Sequence, residues 1–375
     1  MLKIVHFGKY YFPDPGGIES VTQSLACGAV AAGHNVSVIC FKKSIEKNEE
    51  IIDGVNILRA PIAWLFSSQP LGIRYLYLCL KAAKTADVIH LHAPNILAAL
   101  CAILIGPKSK LIVHWHSDVI NKGILEKLVR PLEHAALKKS DCVIVASPPY
   151  AKFSIALAKY YAKVIVVPYG VKSSIASAPN FKLDKVILEK ITGKEIILSV
   201  GRLVDYKGFE VLIQSAKYLP ESSIVVIVGD GPLRTYLQQE IDKDQLSDRV
   251  ILVGHLSEES LRYLFVHATL YCLPSKSRAE AFGVVLIEAM SYGLPIVAAN
   301  ILGSGAPWIN EHGVTGLNVP VGDSEALAIG IKQILNSSEL QKKFSLGANR
   351  RFLSEFTEEI FLHKVMTLYE ELALN

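Results

Sequence analysis

Two carboxylates, Glu280 and Glu288, bracket the run Ala281-Phe282-Gly283-Val284-Val285-Leu286-Ile287. The stretch from Leu273 to Gly293 reads as a strand end, a polar loop and a short helix closed by Gly293. From Val284 to Met290 the residues are apolar except Glu288, so the helix is expected to be buried with one carboxylate inside it. A charge in that position needs partners. Gly283 opens the helix, and a start without a side chain lets an anion such as phosphate approach the unpaired N–H groups of the first turn. Glu280 and Glu288 would then accept from hydroxyls at the two ends of one ligand. The plainer alternative is a buried helix with Glu288 tied to a structural Arg or Lys.

A second charged constellation is Gly201-Arg202-Leu203-Val204-Asp205-Tyr206-Lys207-Gly208, which follows a strand pattern and precedes a helix pattern. Cations at a helix N-terminus oppose the helix dipole, at ~0.3–1 kcal/mol each. A bound anion reverses that sign, and two fixed cations beside free amides suit a diphosphate leaving group. The alternative is a surface lysine and an arginine paired with Asp205. His90, His92, His114 and His116 form two HxH pairs on neighbouring strand patterns, each pair on one face. Zinc is one reading; buried, hydrogen-bonded histidines are the commoner outcome, because no Asp, Glu or Cys recurs at a fitting spacing. No metal is expected.

These groups need elements to hold them, and the chain supplies a strand–helix rhythm. Strand Lys3–Phe7, loop Lys9–Gly17, helix Ile18–Ala32 and strand Asn35–Phe41 form a βαβ start, which implies a parallel sheet. Gly16-Gly17 lies at the N-terminus of that first helix, either a plain turn or an anion-binding start. Further strands are expected at Val55–Arg59, Asp87–Leu91, Lys110–Trp115, Asp141–Ala146 and Lys163–Val167. A Ser/Ala/Pro stretch, Ser173–Asn180, reads as a linker, after which the rhythm restarts at Glu195–Val200, Ser223–Val228, Val250–Val253, Thr269–Leu273, Ile296–Ala299 and Gly316–Val319. Two Rossmann-like, doubly wound parallel-sheet α/β domains facing one cleft are expected, over residues 1–172 and 173–356.

The 375 residues suit two domains, and 51% hydrophobic with 20% charged residues is globular composition. A net charge of +4 is too mild to imply nucleic acid. Six cysteines without a CxxC pair read as reduced core residues of a cytosolic protein. The start, Met1–Gly8, reads as a strand rather than a signal peptide, and the longest apolar run, Ile96–Ile105, is well short of the ~18 residues that span a bilayer. Ile120–Lys139 carries Lys122, Lys127, Arg130, Lys138 and Lys139 against Glu126 and Glu133. Such a basic amphipathic segment can lie on an anionic membrane or meet a lipid diphosphate, or it can be a solvated helix packed on its own domain; Pro131 is placed to split it. No GxGxxG is present, which counts against a nicotinamide dehydrogenase.

Glu280-x7-Glu288 with Phe282-Gly283 between them, and Arg202 with Lys207 upstream, resemble the donor motifs of the retaining glycosyltransferases of family 4, which have the GT-B fold. The resemblance extends over nearly the whole chain. Trp115-His116-Ser117-Asp118 and Arg130-Pro131-Leu132 resemble the branch of bacterial surface-polysaccharide mannosyl- or rhamnosyltransferases. Where the family often has Gly-Gly-x-Pro-Glu, this chain has Gly303-Ser304-Gly305-Ala306-Pro307-Trp308, a departure. What the resemblance implies is a hexosyltransferase, with mannose from GDP-mannose moved onto a lipid-linked saccharide with retention. It assigns the leaving diphosphate to Arg202 and Lys207, sugar hydroxyls to Glu280 and the ribose to Glu288. Backbone groups of Ala281, Phe282, Gly283 and Val284 would line the donor, and Gly229, His255 and Leu256 would border the nucleotide, with the latter pair near the base. Gly16 and Gly17 would face the transferring phosphate and acceptor, His116 would contact donor sugar or acceptor, and Asp118 would orient the acceptor hydroxyl. The C-terminal helix, about residues 357–375, would cross back onto the first domain. No cofactor is implied, and Lys207→Ala is expected to reduce turnover sharply with little loss of folding. Two other classes stay open: a nucleotide-sugar epimerase on the same plan, and a non-catalytic nucleotide-sugar-binding subunit.

Overall fold

The structure is a computed structural model and describes residues 1–14, 16–43, 47–66, 69–106, 108–119, 124–173 and 183–374. The chain divides into two compact units. The first comprises Met1–Gly170 together with the residues from Glu358 onward, and the second Val171–Thr357. Of the linker stretch Ser173–Asn180, all but its first residue lies outside the described residues.

Among the described residues the first unit holds an eight-stranded sheet. In space its strands run Val164–Val166, Cys142–Val145, Lys110–Trp115, Val88–Ala93, Lys3–Phe7, Asn35–Lys42, Val55–Pro61 and Glu49–Ile52. All neighbours are parallel except the last pair. Val88–Ala93 and Cys142–Val145 are buried throughout, the pattern of strands covered on both faces. That packing requires the apolar runs from which the strands were read. The edge strand Glu49–Ile52 was not expected; it returns through Asp53-Gly54, both at positive φ (51° and 79°), a type I′ hairpin. A small ribbon, Trp64–Phe66 antiparallel to Gln69–Leu71, was also unforeseen.

The segment Ile120–Lys139 is described from residue 124 on, and residues 120–123 lie outside the described residues. It runs as one helix, Ile124–Lys139, with Pro131 inside it rather than splitting it. Val129, Ala136 and Leu137 are buried, and Lys139 Nζ donates to the carbonyls of Ile103 and Ile105. The helix Glu358–Leu374 belongs to the first unit: Phe361, Val365 and Tyr369 are buried, and Glu358 accepts from Ser24 Oγ at 2.8 Å.

The second unit contains a six-stranded sheet, all parallel, in the order Val250–Gly254, Ser223–Val228, Glu195–Val200, Leu270–Leu273, Ile296–Ala299 and Gly316–Val319. Its core gathers Ile197, Leu212, Ile227, Leu237, Val297 and Ile331 from strands and flanking helices. Strand order reverses between Glu195–Val200 and Leu270–Leu273. In the first unit the reversal falls between Lys3–Phe7 and Val88–Ala93. Open α/β sheets bind ligands outside the carboxyl ends of their strands at such a reversal.

Candidate active site

In the second unit the loops that leave Val200 and Leu273 rise on the two sides of the reversal, and they interlock. Lys276 N–H donates to the Tyr206 carbonyl at 2.7 Å. Gly208 sits at φ 66°, and a Cβ there would lie 2.2 Å from the Pro274 carbonyl oxygen, so no other residue fits. The approach carries Lys207 to Glu280: Nζ and Oε2 are 2.7 Å apart, and Ser275 Oγ donates to the same oxygen at 2.9 Å. Both charged side chains are buried. Burial works against the lysine's charge, but Glu280, with Tyr206 and Glu288, outweighs it and holds the ammonium above its ordinary value. An ammonium has three donors, and Glu280 takes one.

The turn that departs from the family pattern proves to be a clamp on this loop. Ser304 Oγ donates to the Glu280 carbonyl, and Gly305 N–H donates to the Ala281 carbonyl at 2.8 Å. Trp308 lies under the Arg351 guanidinium, 5.2 Å from ring centroid to Cζ.

Gly283, at φ 95°, opens the helix Val284–Ser291. Leu286, Ile287, Ala289 and Met290 are buried, Phe282 packs edge-on against Phe356, and Val284 and Glu288 are half-buried. The Glu288 carboxylate has no hydrogen-bonding partner among the described residues. Burial pushes its pKa up, and Lys207 opposes that shift. It is therefore not tied to a structural cation by a salt bridge. Arg202 is exposed and likewise unpaired among the described residues, because Asp205 bonds Lys276 at 2.9 Å instead. Lys276 also takes Glu210 at 2.6 Å. At neighbouring strand ends, Gly229 N–H donates to the Gly254 carbonyl at 2.8 Å, and His255 (exposed) and Leu256 (half-buried) come next along the chain. The constellation thus presents an open arginine, a lysine with spare donors and a carboxylate without a protein partner around one reversal point. These suit an anion flanked by hydroxyls.

In the first unit, Gly16 precedes and Gly17 begins the helix Gly17–Ala31. A Cβ at Gly17 would meet nothing within 4 Å, whereas one at Gly16 would strike the Glu19 carboxylate. His116 comes directly after the strand Lys110–Trp115 and is buried. Its Nε2 lies 2.9 Å from His92 Nδ1 and its Nδ1 2.6 Å from Tyr169 Oη, so both ring nitrogens are engaged within the unit. A ligand contact through a His116 nitrogen would have to displace one of those partners. Asp118 is also knitted into its loop, accepting from Trp115 Nε1 at 2.8 Å and Ser154 Oγ at 2.6 Å.

Both units match glycosyltransferase families. The family "Glycosyl transferases group 1" matches residues 180–351, and "Glycosyltransferase Family 4" matches residues 15–174. O-antigen chain mannosyltransferase C of Escherichia coli is 29% identical over 99% of both chains. D-rhamnosyltransferase WbpZ of Pseudomonas aeruginosa is 29% identical over 95% of this chain and 92% of its own. Among solved structures, Alr3699/HepE of Anabaena, in complex with UDP and glucose, superposes with a TM-score of 0.79 at 19% identity, over 99% of this chain and 100% of its own. The chain is a glycosyltransferase of the GT-B fold, with a family 4 domain followed by a group 1 domain.

Two groups of residues in this glycosyltransferase escaped sequence reasoning. Ser275 and Ser304 had no spacing signal that would mark them as holding Glu280. The histidines form a longer row than the two HxH pairs announced, because His6 on the adjoining strand joins it. His6 Nδ1 meets His92 Nε2 at 3.0 Å, His90 Nε2 meets His114 Nδ1 at 3.1 Å, and Tyr369 Oη closes on His90 Nδ1 at 2.7 Å. His90, His92 and His114 also bring ligand-capable nitrogens within 4.8 Å of one another. All three donors are neutral imidazoles, burial keeps their pKa values well down, and several nitrogens already serve neighbouring rings. Among the described residues, no helix of the glycosyltransferase is long and apolar enough to cross a membrane.

Proposed function

We propose that this glycosyltransferase moves a hexose from a nucleotide sugar to a lipid-linked saccharide in bacterial O-antigen or surface-polysaccharide synthesis, with retention of anomeric configuration. Mannose from GDP-mannose is the favoured donor, by likeness to the E. coli mannosyltransferase. The observation that carries the donor side is the buried Lys207–Glu280 pair at the sheet's reversal point, flanked by Arg202 and Glu288, both without a side-chain partner among the described residues.

In this reading Arg202 and the spare donors of Lys207 hold the diphosphate as the bond to the anomeric carbon breaks. Their charges, with the first-turn amides of the helix at Gly283 and Val284, offset the developing negative charge without a metal. Glu280 grips sugar hydroxyls with its second oxygen, and Glu288 accepts from the ribose. Ala281 and Phe282 line the donor, while Gly229, His255 and Leu256 border the nucleotide. The acceptor hydroxyl bonds the anomeric carbon on the face that the diphosphate leaves and gives its proton to the departing phosphate oxygen, with Gly16 and Gly17 on its side. His116 and Asp118 act there as positioning groups that shape the loop. The protein works on the cytoplasmic side, with peripheral membrane contact.

The test incubates purified protein with a panel of nucleotide sugars and lipid-diphosphate acceptors, reading product mass and anomeric NMR. GDP-mannose should be consumed only when acceptor is present, giving an α product. Isomerised donor without acceptor would instead mark an epimerase. A second donor, a GDP-deoxyhexose, is favoured by the D-rhamnosyltransferase relative at the same 29% identity.

A further inference from the structure

Five large hydrophobic side chains within one short stretch of the first unit stand in solvent. Trp64, Leu65 and Phe66 are 74%, 64% and 48% exposed, and Ile73 and Tyr77 on the next helix are 81% and 58% exposed. The strand Trp64–Phe66 pairs with Gln69–Leu71 and buries none of its own side chains. Folding gives no reason for a Trp-Leu-Phe strand that packs on nothing, and a clustered apolar patch of this kind marks an interaction surface.

The charge around it is one-sided. From residue 54 to 86 there is no Asp or Glu. The helix Ile73–Ala83 buries Tyr75, Cys79 and Ala83. Its outward stripe carries Ile73, Tyr77 and Lys81 at four-residue steps, continued by Lys84, with Arg74 beside it; all are exposed. The ribbon comes after Pro61, which pairs in parallel register with Lys42 at the carboxyl end of the sheet. The loop from Gly8 to Gly17 and His116 leave from the carboxyl ends of their own strands, on that same edge.

We propose that this ribbon and the outer face of Ile73–Ala83 dock the protein on an anionic lipid bilayer. Trp64, Leu65 and Phe66 enter the boundary between headgroups and acyl chains, and Arg74, Lys81 and Lys84 meet lipid phosphates. A second copy of the chain fits less well, because a two-fold contact would set the same three cations against themselves. The proposal assigns the membrane contact to this surface rather than to Ile124–Lys139, whose described apolar side chains are packed and whose Lys139 is spent on backbone carbonyls. It depends on the lipid-linked acceptor reading for its purpose, not for its detection.

The full chain, with neither donor nor acceptor, is sedimented with vesicles of phosphatidylglycerol and phosphatidylethanolamine, and with vesicles of phosphatidylcholine alone. Binding to the anionic vesicles is expected, with a blue shift of tryptophan emission, since Trp64 is exposed while Trp115 is buried and Trp308 half-buried. The variant Trp64→Ser/Leu65→Ser/Phe66→Ser should lose binding at least tenfold. Arg74→Gln, Lys81→Gln and Lys84→Gln should each weaken it about fivefold, on anionic vesicles only. Wild-type protein that stays in the supernatant overturns the proposal. So does a triple variant that binds as well as wild type, or a dimer that the triple variant abolishes while vesicle binding is absent. Turnover of the triple variant on a water-soluble acceptor should match wild type. Failure of transfer by wild type on every acceptor would strike the functional reading and leave the vesicle result standing.

Discussion

A lysine buried against a carboxylate cannot be truncated without leaving that carboxylate alone in a poorly solvated place. Lys207→Ala is therefore expected to lose both turnover and about 3 kcal/mol of stability, the usual toll of breaking a buried pair. The motif alone suggested little loss of folding, and the 2.7 Å contact with Glu280 corrects that expectation. Denaturant unfolding alongside turnover checks this, and unfolding identical to wild type would mean that the pair is not formed. Glu288 gives the opposite sign. Burial raises its pKa above the unfolded value, so its charged form opposes folding, and stability declines as pH rises from the ordinary carboxylate range through the raised value. Glu288→Gln should stabilise the protein at pH 8 and not at pH 4, while raising KM for the donor; a melting gain equal at both pH values would refute the assignment. The identities of these residues were legible because carboxylates and cations at fixed spacing are rare enough to notice. Their pairing was not, since Lys207 and Glu280 are separated by 73 positions and meet only through the sheet's order.

The central strands of the first unit, with His116 directly after one of them, hold five imidazoles that burial keeps neutral, His6 and His116 being pushed down to about 3. Unfolded histidines take up protons below about 6.5, so the unfolded state binds more protons throughout that window and stability falls as pH falls from 6.5 toward 3. Each ring contributes a slope of about 1.4 kcal/mol per pH unit in the middle of the window. His6→Gln should reduce the slope of unfolding free energy between pH 6 and pH 4 by about that amount, and an unaltered slope would show the ring to be solvated or charged. In the second unit Gly208 sets the approach of the two donor loops. Gly208→Ala meets positive φ and the Pro274 carbonyl together, so it should cost more than about 1 kcal/mol and reduce turnover with Lys207 and Glu280 both present, as thermal melts and rates would report. Period-two spacing announced the HxH faces, yet the row's continuation to His6 needed the parallel register His6↔His90, which no local pattern encodes. Asp53-Gly54 is the opposite case, a hairpin turn encoded by two adjacent residues.

The alternation of apolar runs with helical stretches was enough to call for two parallel-sheet units, because strands buried on both faces must be apolar end to end. Strand order and the two reversal points were not legible, since they depend on which crossover lies beside which. In the C-terminal helix, one unit borrows a segment distant in the chain to complete its core. Glu358–Leu374 fills the first unit with Phe361, Val365 and Tyr369, and Tyr369 also bonds the histidine row. Full burial of such side chains contributes roughly 1.5–3 kcal/mol each, about 6 kcal/mol for three, against the ~5–15 kcal/mol that holds a domain together. A chain ending at Thr357 should therefore leave the first unit marginal or unfolded. The second unit keeps its own core, Ile197 and Ile331 among its members, and should stay folded. Hydrogen exchange read by mass spectrometry separates the outcomes: strands Lys3–Phe7 and Val88–Ala93 should exchange quickly in the truncated chain, while Glu195–Val200 and Ser223–Val228 keep their protection. Protection of the first pair equal to that of the full chain would mean that the helix is an ornament on a unit already complete.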